Sequence, residues 1–376
     1  MGIKDIGDNI RRHMKIRGLT IPKLSAQMGI GTATLSNILN GKAEPKSSTL
    51  IKLAESLKVP FDELLADAPK LDSLRFRTSR TLSGREKAER DQLRHDTSIW
   101  LSDYQYLEDV LKEKKEFLLK DMYEKDPEKA AIEVRKSLKL KTEEPIYDIS
   151  GLMERAGIKL HIRPFGFKKT FGLSVGEKDG GPAIVVNAES GITVERQIFT
   201  IAHELGHIVL HKSSYDALQE FENPIEENEA NIFAGAFLVP TEGFEKEWAE
   251  AKGLHWVNRV LRVKKVFKVS YLTILVRLIQ LDPSLKDRPL IAEFCGAYKQ
   301  LYQHDLKDHF EPDAIQDPVA PFDPLGLNAS DLVEDRFSRL VREAYDKQII
   351  SISRAGEMMN RSIEDMRELI RAWQVL

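Results

Sequence analysis

Residues 203–240 read HELGHIVLHKSSYDALQEFENPIEENEANIFAGAFLVP, two helical runs joined by a polar stretch. Helix positions four apart lie on one face, one turn apart, so His203 and His207 can aim their imidazoles at a single ion. Glu204, on the neighbouring flank, can take a proton from an attacking water and pass it to a leaving amine. Two histidines do not complete a catalytic site, since a third protein ligand is needed that still leaves one coordination position open. His211 continues the series, but eight residues separate it from His203. That is roughly 12 Å along a helix axis, too far for two metal–nitrogen bonds of about 2 Å. His211 is therefore expected to pack beside the ligands or to orient them. In the second run Asn223 can cap a helix with Pro224 in its first turn. Glu226, Glu227 and Glu229 all open that helix, and its apolar stripe of Ala230, Phe233, Ala234 and Phe237 does not choose between the first two.

Spacing favours Glu227, because nineteen residues lie between it and His207, and Asn231 follows one turn later on the same face. This HExxH…ExxxN arrangement is similar to the gluzincin pattern HExxH…ExxxD, in which the last carboxylate orients a histidine ligand. Here the side-chain oxygen of Asn231 can accept a hydrogen bond from the second nitrogen of His203. An amide is a weaker acceptor than a carboxylate, which makes the ion easier to lose.

HELGHIVLH followed by EENEANIFAGAFLVP, with GLSVGEKDGGPAIVVN before it, resembles the ImmA/IrrE metallopeptidases from about Ile146 to Leu281. The resemblance implies a zincin fold and a Zn2+ site, Mn2+ or another divalent ion being possible, held by His203, His207 and Glu227. It also implies Glu204 as general acid/base and cleavage of a DNA-binding repressor as the task. More loosely, LRFRTSRTLSGREKAE (74–89) and IISISRAGEMMNRSIEDMRELI (349–370) resemble segments of long multidomain relatives. In such peptidases a strand edge beside the metal pairs with the substrate backbone, and PAIVVN (182–187) or TFGLSV (170–175) can serve. A second oxyanion donor is expected as well. Tyr271 is the first choice, with His255 and Tyr215 as alternatives.

Working outward, IKLHIRPF, TFGLSVGE and PAIVVN are short β-branched or aromatic-rich runs, and KDGG between the last two reads as a hairpin turn. They predict a small sheet ahead of the HELGH helix, with further helices through WVNRVLRVKKVF and YLTILVRLIQ after it. Residues 67–145 are strongly charged with helical periodicity and read as a helical connector. Beyond Leu281, Pro283, Pro289, Pro312, Pro318, Pro321 and Pro324 break the chain into loops before a helical end.

Residues 5–66 read as five short amphipathic helices. Gly18, Gly29 and Gly41 stand where left-handed closing residues are needed, and Thr20, Thr32 and Ser48 are candidate N-caps. From Ile6 to Leu65 the chain resembles the Xre family of helix-turn-helix domains, with a λ-repressor-like fold. By that resemblance the helix beginning near Thr32 enters the major groove of an operator, bringing Thr32, Ala33, Thr34, Ser36 and Asn37 to bases or phosphates. Lys23, Lys42 and Lys46 are then backbone contacts. Ile21 stands where many relatives carry a glutamine that touches DNA, so that contact is missing.

The expected fold is multidomain and mainly α: a helix-turn-helix head (1–66), a charged helical connector (67–145), an α+β peptidase domain (146–282) and a mostly helical C-terminal region (283–376). At 376 residues, 42% hydrophobic and 31% charged, the chain exceeds a single core and has globular composition. The lone Cys295 excludes an internal disulfide or a cysteine-based zinc cluster. Net charge is −3, yet the first 66 residues carry ten basic and six acidic side chains, a local bias toward a polyanion. Neither a signal peptide nor a membrane span is read, and a cytoplasmic protein is expected. Two functions follow. One is a regulatory metalloprotease that binds double-stranded DNA, as a homodimer, and cuts a repressor or other regulator. The other is a non-enzymatic regulator or antitoxin whose peptidase-like domain is a metal-stabilised sensor.

Overall fold

The structure, a computed structural model, describes residues 3–59, 61–65, 71–75, 83–216, 221–306, 311–315 and 325–375. The expected boundary at 66/67, the middle of LRFRTSRTLSGREKAE, and Pro318, Pro321 and Pro324 lie outside the described residues.

Five helices open the chain: α1 (Ile3–Ile16), α2 (Ile21–Met28), α3 (Thr32–Leu39), α4 (Ser47–Leu57) and α5 (Phe61–Leu65). Next come β1 (Leu74–Arg75), α6 (Gly84–Leu111), α7 (Pro127–Ser137), α8 (Ile149–Arg155), β2 (Lys159–Arg163), β3 (Gly172–Val175) and β4 (Ala183–Asn187). Helices α9 (Val194–Leu210), α10 (Pro224–Leu238), α11 (Thr241–Glu250), α12 (Trp256–Phe267), α13 (Tyr271–Leu281) and α14 (Leu290–Tyr302) follow, and α15 (Arg336–Asp346), α16 (Ile352–Met358) and α17 (Ile363–Val375) close the chain. The fold is mainly helical with one small sheet, as the sequence predicts.

Contacts gather these elements into two compact units that are not consecutive in sequence. One comprises residues 1–70, 91–114 and 335–376, the other 71–90 and 115–334. The stretch read as a connector is thus divided between the units, and the chain after Glu334 belongs with the head.

In the first unit Ile10, Leu24, Leu35, Leu39, Leu53 and Leu57 form the buried centre of the five-helix head. Gly18, Gly29 and Gly41 all adopt positive φ, as expected. Thr20 caps α2 by accepting from the Lys23 amide. Thr32 and Ser48 are not N-caps: the cap positions fall on Gly31 and Lys46, which use no side-chain hydrogen bond, so the helices start one and two residues earlier than the hydroxyls suggest. Ile21 is half-buried against the head core, spending its side chain on packing. In the same unit Trp100 and Tyr104 of α6 pack on Phe337 of α15. Beside them Arg336, 4% exposed, donates to Glu108, 2% exposed, at 2.7 Å.

In the second unit the strand order is β1-β3-β4-β2, with β3 antiparallel to β1 and to β4, and β2 parallel to β4. KDGG lies in the β3–β4 connection, with Gly180 at φ +81. PAIVVN forms β4, buried at every position; β4 is flanked by β3 and β2, and β3 by β1 and β4, so neither of the two expected platforms offers a free edge. Helices α9 and α10 pack against each other, and α9 also against β3 and β4, around a core that includes Ile184, Val186, Ile201, Leu205, Phe233 and Phe237. Helix α14 occupies part of the region expected to be loops, because Pro289 stands at its N-cap rather than inside it. Among the described residues no helix is long and apolar enough to cross a membrane.

Candidate metal centre

Thr193 caps α9 by accepting from the Arg196 amide, which fixes the register of HELGH. Asn223 caps α10 through the Ile225 amide, with Pro224 in the first turn. The two helices approach closely where Gly206 faces Ala230 and Phe233: a Cβ there would lie 3.0 Å from the Phe233 ring and 3.3 Å from the Ala230 Cα. This contact brings the histidines of α9 against the acidic first turn of α10.

Ligand-capable atoms of His203, His207 and Glu227 lie within 4.8 Å of one another. The two Nε2 atoms are 3.0 Å apart. The Glu227 carboxylate is 3.2 Å from His203 Nε2 and 3.4 Å from His207 Nε2. The outward nitrogens are held as well. His203 Nδ1 is 3.0 Å from Asn231 Oδ1, the contact expected from spacing. His207 Nδ1 is 2.8 Å from His211 Nδ1, and His211 Nε2 is 2.9 Å from Glu229 Oε2. His211 therefore stands behind His207, away from the convergence point.

These contacts assign the tautomers. Asn231 Oδ1 and Glu229 only accept, so His203 donates from Nδ1 and His211 from Nε2. His211 Nδ1 then accepts from His207 Nδ1. Both inward Nε2 atoms are left carrying lone pairs that face a carboxylate. Burial keeps His207 neutral, its pKa lowered to about 3. Burial alone would raise Glu227, but its contacts with the two histidine rings hold it well below the usual carboxylate range. Three acceptors aimed at one point can hold a cation, and two imidazoles with one carboxylate are a donor set that suits zinc.

Glu204, buried on α9, accepts a 2.6 Å hydrogen bond from the Ser174 hydroxyl of β3, which accepts from the Tyr215 hydroxyl at 3.0 Å. Burial raises the Glu204 pKa, opposed by the Ser174 hydrogen bond and the charge of Arg75. The close approach of β3 to α9 needs Gly172, whose Cβ would meet Thr200 Cγ2 at 2.5 Å and Glu204 Cγ at 3.3 Å.

Tyr271 is placed elsewhere: its ring stacks on Phe294 at 5.1 Å, and burial and Cys295 push its pKa up to about 12. It starts α13 and fills core space, so it is not the hydroxyl beside Glu204. His255 caps α12. Of the three oxyanion candidates, the fold brings only Tyr215 to the Glu204 network. Three participants were missed from sequence: Ser174, the Glu229 support for His211, and Arg75. Arg75 of β1 donates to Glu226 Oε2 at 2.6 Å and to Glu227 Oε1 at 2.7 Å. Glu226 also accepts from Ser214 at 2.8 Å and, against the effect of burial, Arg75 and Ser214 lower its pKa to about 2.

On the head, Thr32, Ala33, Thr34 and Asn37 are exposed on α3 and Ser36 is half-buried, while Leu35, Ile38 and Leu39 face the core. Lys23, Lys42 and Lys46 are exposed.

Residues 153–278 match the family model described as the IrrE N-terminal-like domain, and residues 10–64 match the helix-turn-helix model. The chain belongs to the Xre-type helix-turn-helix proteins fused to an ImmA/IrrE-family peptidase domain. This fusion protein is similar to two proteins of Bacillus subtilis (strain 168). With the "Uncharacterized HTH-type transcriptional regulator RghRB" it shares 44% identity over 63 residues, 16% of this chain and 45% of that protein. With the HTH-type transcriptional repressor RghR it shares 32% over 117 residues, 29% of this chain and 85% of that protein. The fusion protein thus spans less than half the length of the first relative. Bacillus thuringiensis PlcR, solved with the peptide PapR7 and DNA, aligns over 99% of this chain and 98% of its own at 12% identity and a TM-score of 0.16, too low to support an argument.

Proposed function

We propose that this helix-turn-helix regulator is also a zinc-dependent endopeptidase, which controls transcription by cutting a repressor or another regulatory protein. The observation that carries the reading is the convergence of two imidazole lone pairs and a carboxylate beside a buried glutamate that binds none of them. A purely structural ion would need His203, His207 and Glu227 but would have no use for Glu204.

His203, His207 and Glu227 would hold the ion, which when bound supplies Lewis-acid chemistry to peptide hydrolysis. Glu204 takes the proton of the attacking water and delivers it to the leaving nitrogen. Its raised pKa favours holding that proton between the two transfers. Ser174 fixes one carboxylate oxygen of Glu204, and Tyr215 in turn fixes Ser174. To serve a developing oxyanion, Tyr215 turns its single hydroxyl proton away from Ser174. Asn231 and the His211–Glu229 pair keep the ligand nitrogens turned inward.

The exposed face of α3, with Thr32, Ala33, Thr34, Ser36 and Asn37, enters the major groove of an operator, and Lys23, Lys42 and Lys46 contact phosphates. Similarity to a repressor supports this assignment. A homodimer supplies the two half-site contacts that one small head lacks.

Glu204→Gln tests the enzyme. The variant should keep its bound metal and its operator affinity, while cleavage of a co-expressed partner regulator falls by about 10²–10⁴-fold, the span general acid–base catalysis contributes. Equal activity of variant and parent in every cellular readout would overturn the peptidase assignment in favour of a metal-stabilised sensor.

A further inference from the structure

Among the described residues β1 spans Leu74–Arg75, and its surroundings are those of an inserted ligand. Leu71, Ser73, Leu74 and Arg75 are all 3–4% exposed. The Gly176 amide donates to the Ser73 carbonyl at 2.7 Å. The Ser73 amide and hydroxyl both donate to Asp179 Oδ2, at 2.6 and 3.0 Å. The antiparallel register sets Leu74 against Val175 and Arg75 against Ser174.

That register decides the direction of Arg75. Residues opposite one another in an antiparallel pair project to the same face. Ser174 projects toward Glu204, so Arg75 projects there too, and its guanidinium spans Glu226 and Glu227. The segment therefore runs into the candidate metal centre rather than past it.

β3 carries Ser174 and has β4 on its other side. An extended peptide reaching Glu204 by strand addition has to use the side of β3 that β1 takes, and one edge cannot pair with two strands at the same residues. We infer that Leu71–Arg75 is an intramolecular occupant of the substrate strand position, and that a substrate enters by displacing it with an extended segment presenting a basic side chain to Glu226 and Glu227. This inference rests on the peptidase reading for its purpose, but occupancy and displacement are measurable without turnover. The Arg75 fork makes the exchange selective for a cation opposite Ser174.

The test uses the full chain in a Glu204→Gln background, so that loss of the peptidase reading does not affect the result. Arg75→Ala removes the fork, and Asp179→Ala releases Ser73 without touching any candidate ligand. Hydrogen exchange is followed at residues 172–176, with α9 amides as the control for folding. Binding of a capped pentapeptide with the sequence of Leu71–Arg75, at millimolar concentration, is followed by NMR shifts of the same amides. Both variants should exchange at least tenfold faster at the Gly176 amide, with α9 unchanged. Both should take up the peptide while the parent does not, and a peptide ending in alanine instead of arginine should bind at least tenfold more weakly. Unchanged protection of the Gly176 amide in both variants would overturn the inference, as would failure of the released strand edge to bind the peptide.

Discussion

The candidate ligands owe their aim to the residues behind them. His203 presents Nε2 inward because Asn231 takes its Nδ1 proton, and His207 does so through His211 and Glu229. Asn231→Ala should therefore weaken zinc binding by about 10–100-fold, the usual cost of losing such a support, without changing the ligands. Competition against a chelator of known affinity measures this, and unchanged affinity would mean that Asn231 only packs. Glu227→Ala should lower bound metal in elemental analysis more than Asn231→Ala does. Glu226→Ala should leave it nearly intact, because the Glu226 carboxylate is committed to Arg75 and Ser214. Equal losses from the two glutamate variants would remove the distinction between them. His203 with His207, and Glu227 with Asn231, were legible as pairs because helix period fixes which side chains share a face; the preference for Glu227 over Glu226 came from its spacing to His207, since periodicity did not choose between them. Ser174 and Arg75 were not: each sits alone on a strand, and only the register between β1 and β3 brings them to the site. Tyr271 was misplaced for the same reason, since a helix-opening tyrosine looks alike in sequence whether it lines a cleft or stacks on Phe294.

At the level of elements, the head was readable wherever a helix end has a local cause. Gly29 closes α2 in the left-handed region and Thr20 opens it, so the turn before α3 follows from two residues. Hydroxyls at Thr32 and Ser48 misled because the cap positions fall on their predecessors' backbone, with no side chain engaged. Packing between α1 and α3 has a signal of its own in Gly7. A Cβ there would lie 2.9 Å from the Ile38 carbonyl oxygen and closer still to that of Leu39. Alanine in a helix interior ordinarily gains about 1 kcal/mol over glycine. Gly7→Ala should instead destabilise the head by about 1–3 kcal/mol, the usual cost of overpacking, because backbone oxygens at a helix end cannot swing aside as a side chain can. Thermal unfolding of the first unit measures it, and a rise in Tm would show that α1 and α3 are less tightly apposed.

For the whole molecule, the order of segments along the chain is not the order of packing. Residues 91–114 and 335–376 share a unit with the head, although the sequence predicts a charged helical connector for the first and a separate, mostly helical C-terminal region for the second. Sequence periodicity gives the helix but not its packing, because two charges in α6 are buried: Asp103 at 6% exposure and Glu108 at 2% lie where an apolar stripe would be sought. Their partners are distant in sequence, Arg354 for Asp103 and Arg336 for Glu108. Arg336 also donates to the Tyr104 hydroxyl at 3.2 Å and to the Glu113 carbonyl at 2.5 Å, so one side chain of α15 ties together the inner face and the end of α6. Removing it strands a carboxylate in a site with almost no solvent, and breaking a buried pair from one side typically costs about 3–5 kcal/mol. Arg336→Ala should lower the unfolding midpoint of the first unit by that amount of stability. The midpoint of the second unit should not move, because none of the partners named here belongs to it. Glu108→Gln in the same background should recover part of the loss, since a neutral amide costs less to bury than an unpaired carboxylate. Differential scanning calorimetry on the single and double variants separates the alternatives. A single variant as stable as the parent would mean that α15 is dispensable to the unit, whereas loss followed by recovery in the double variant would make residues 335–376 an integral part of it.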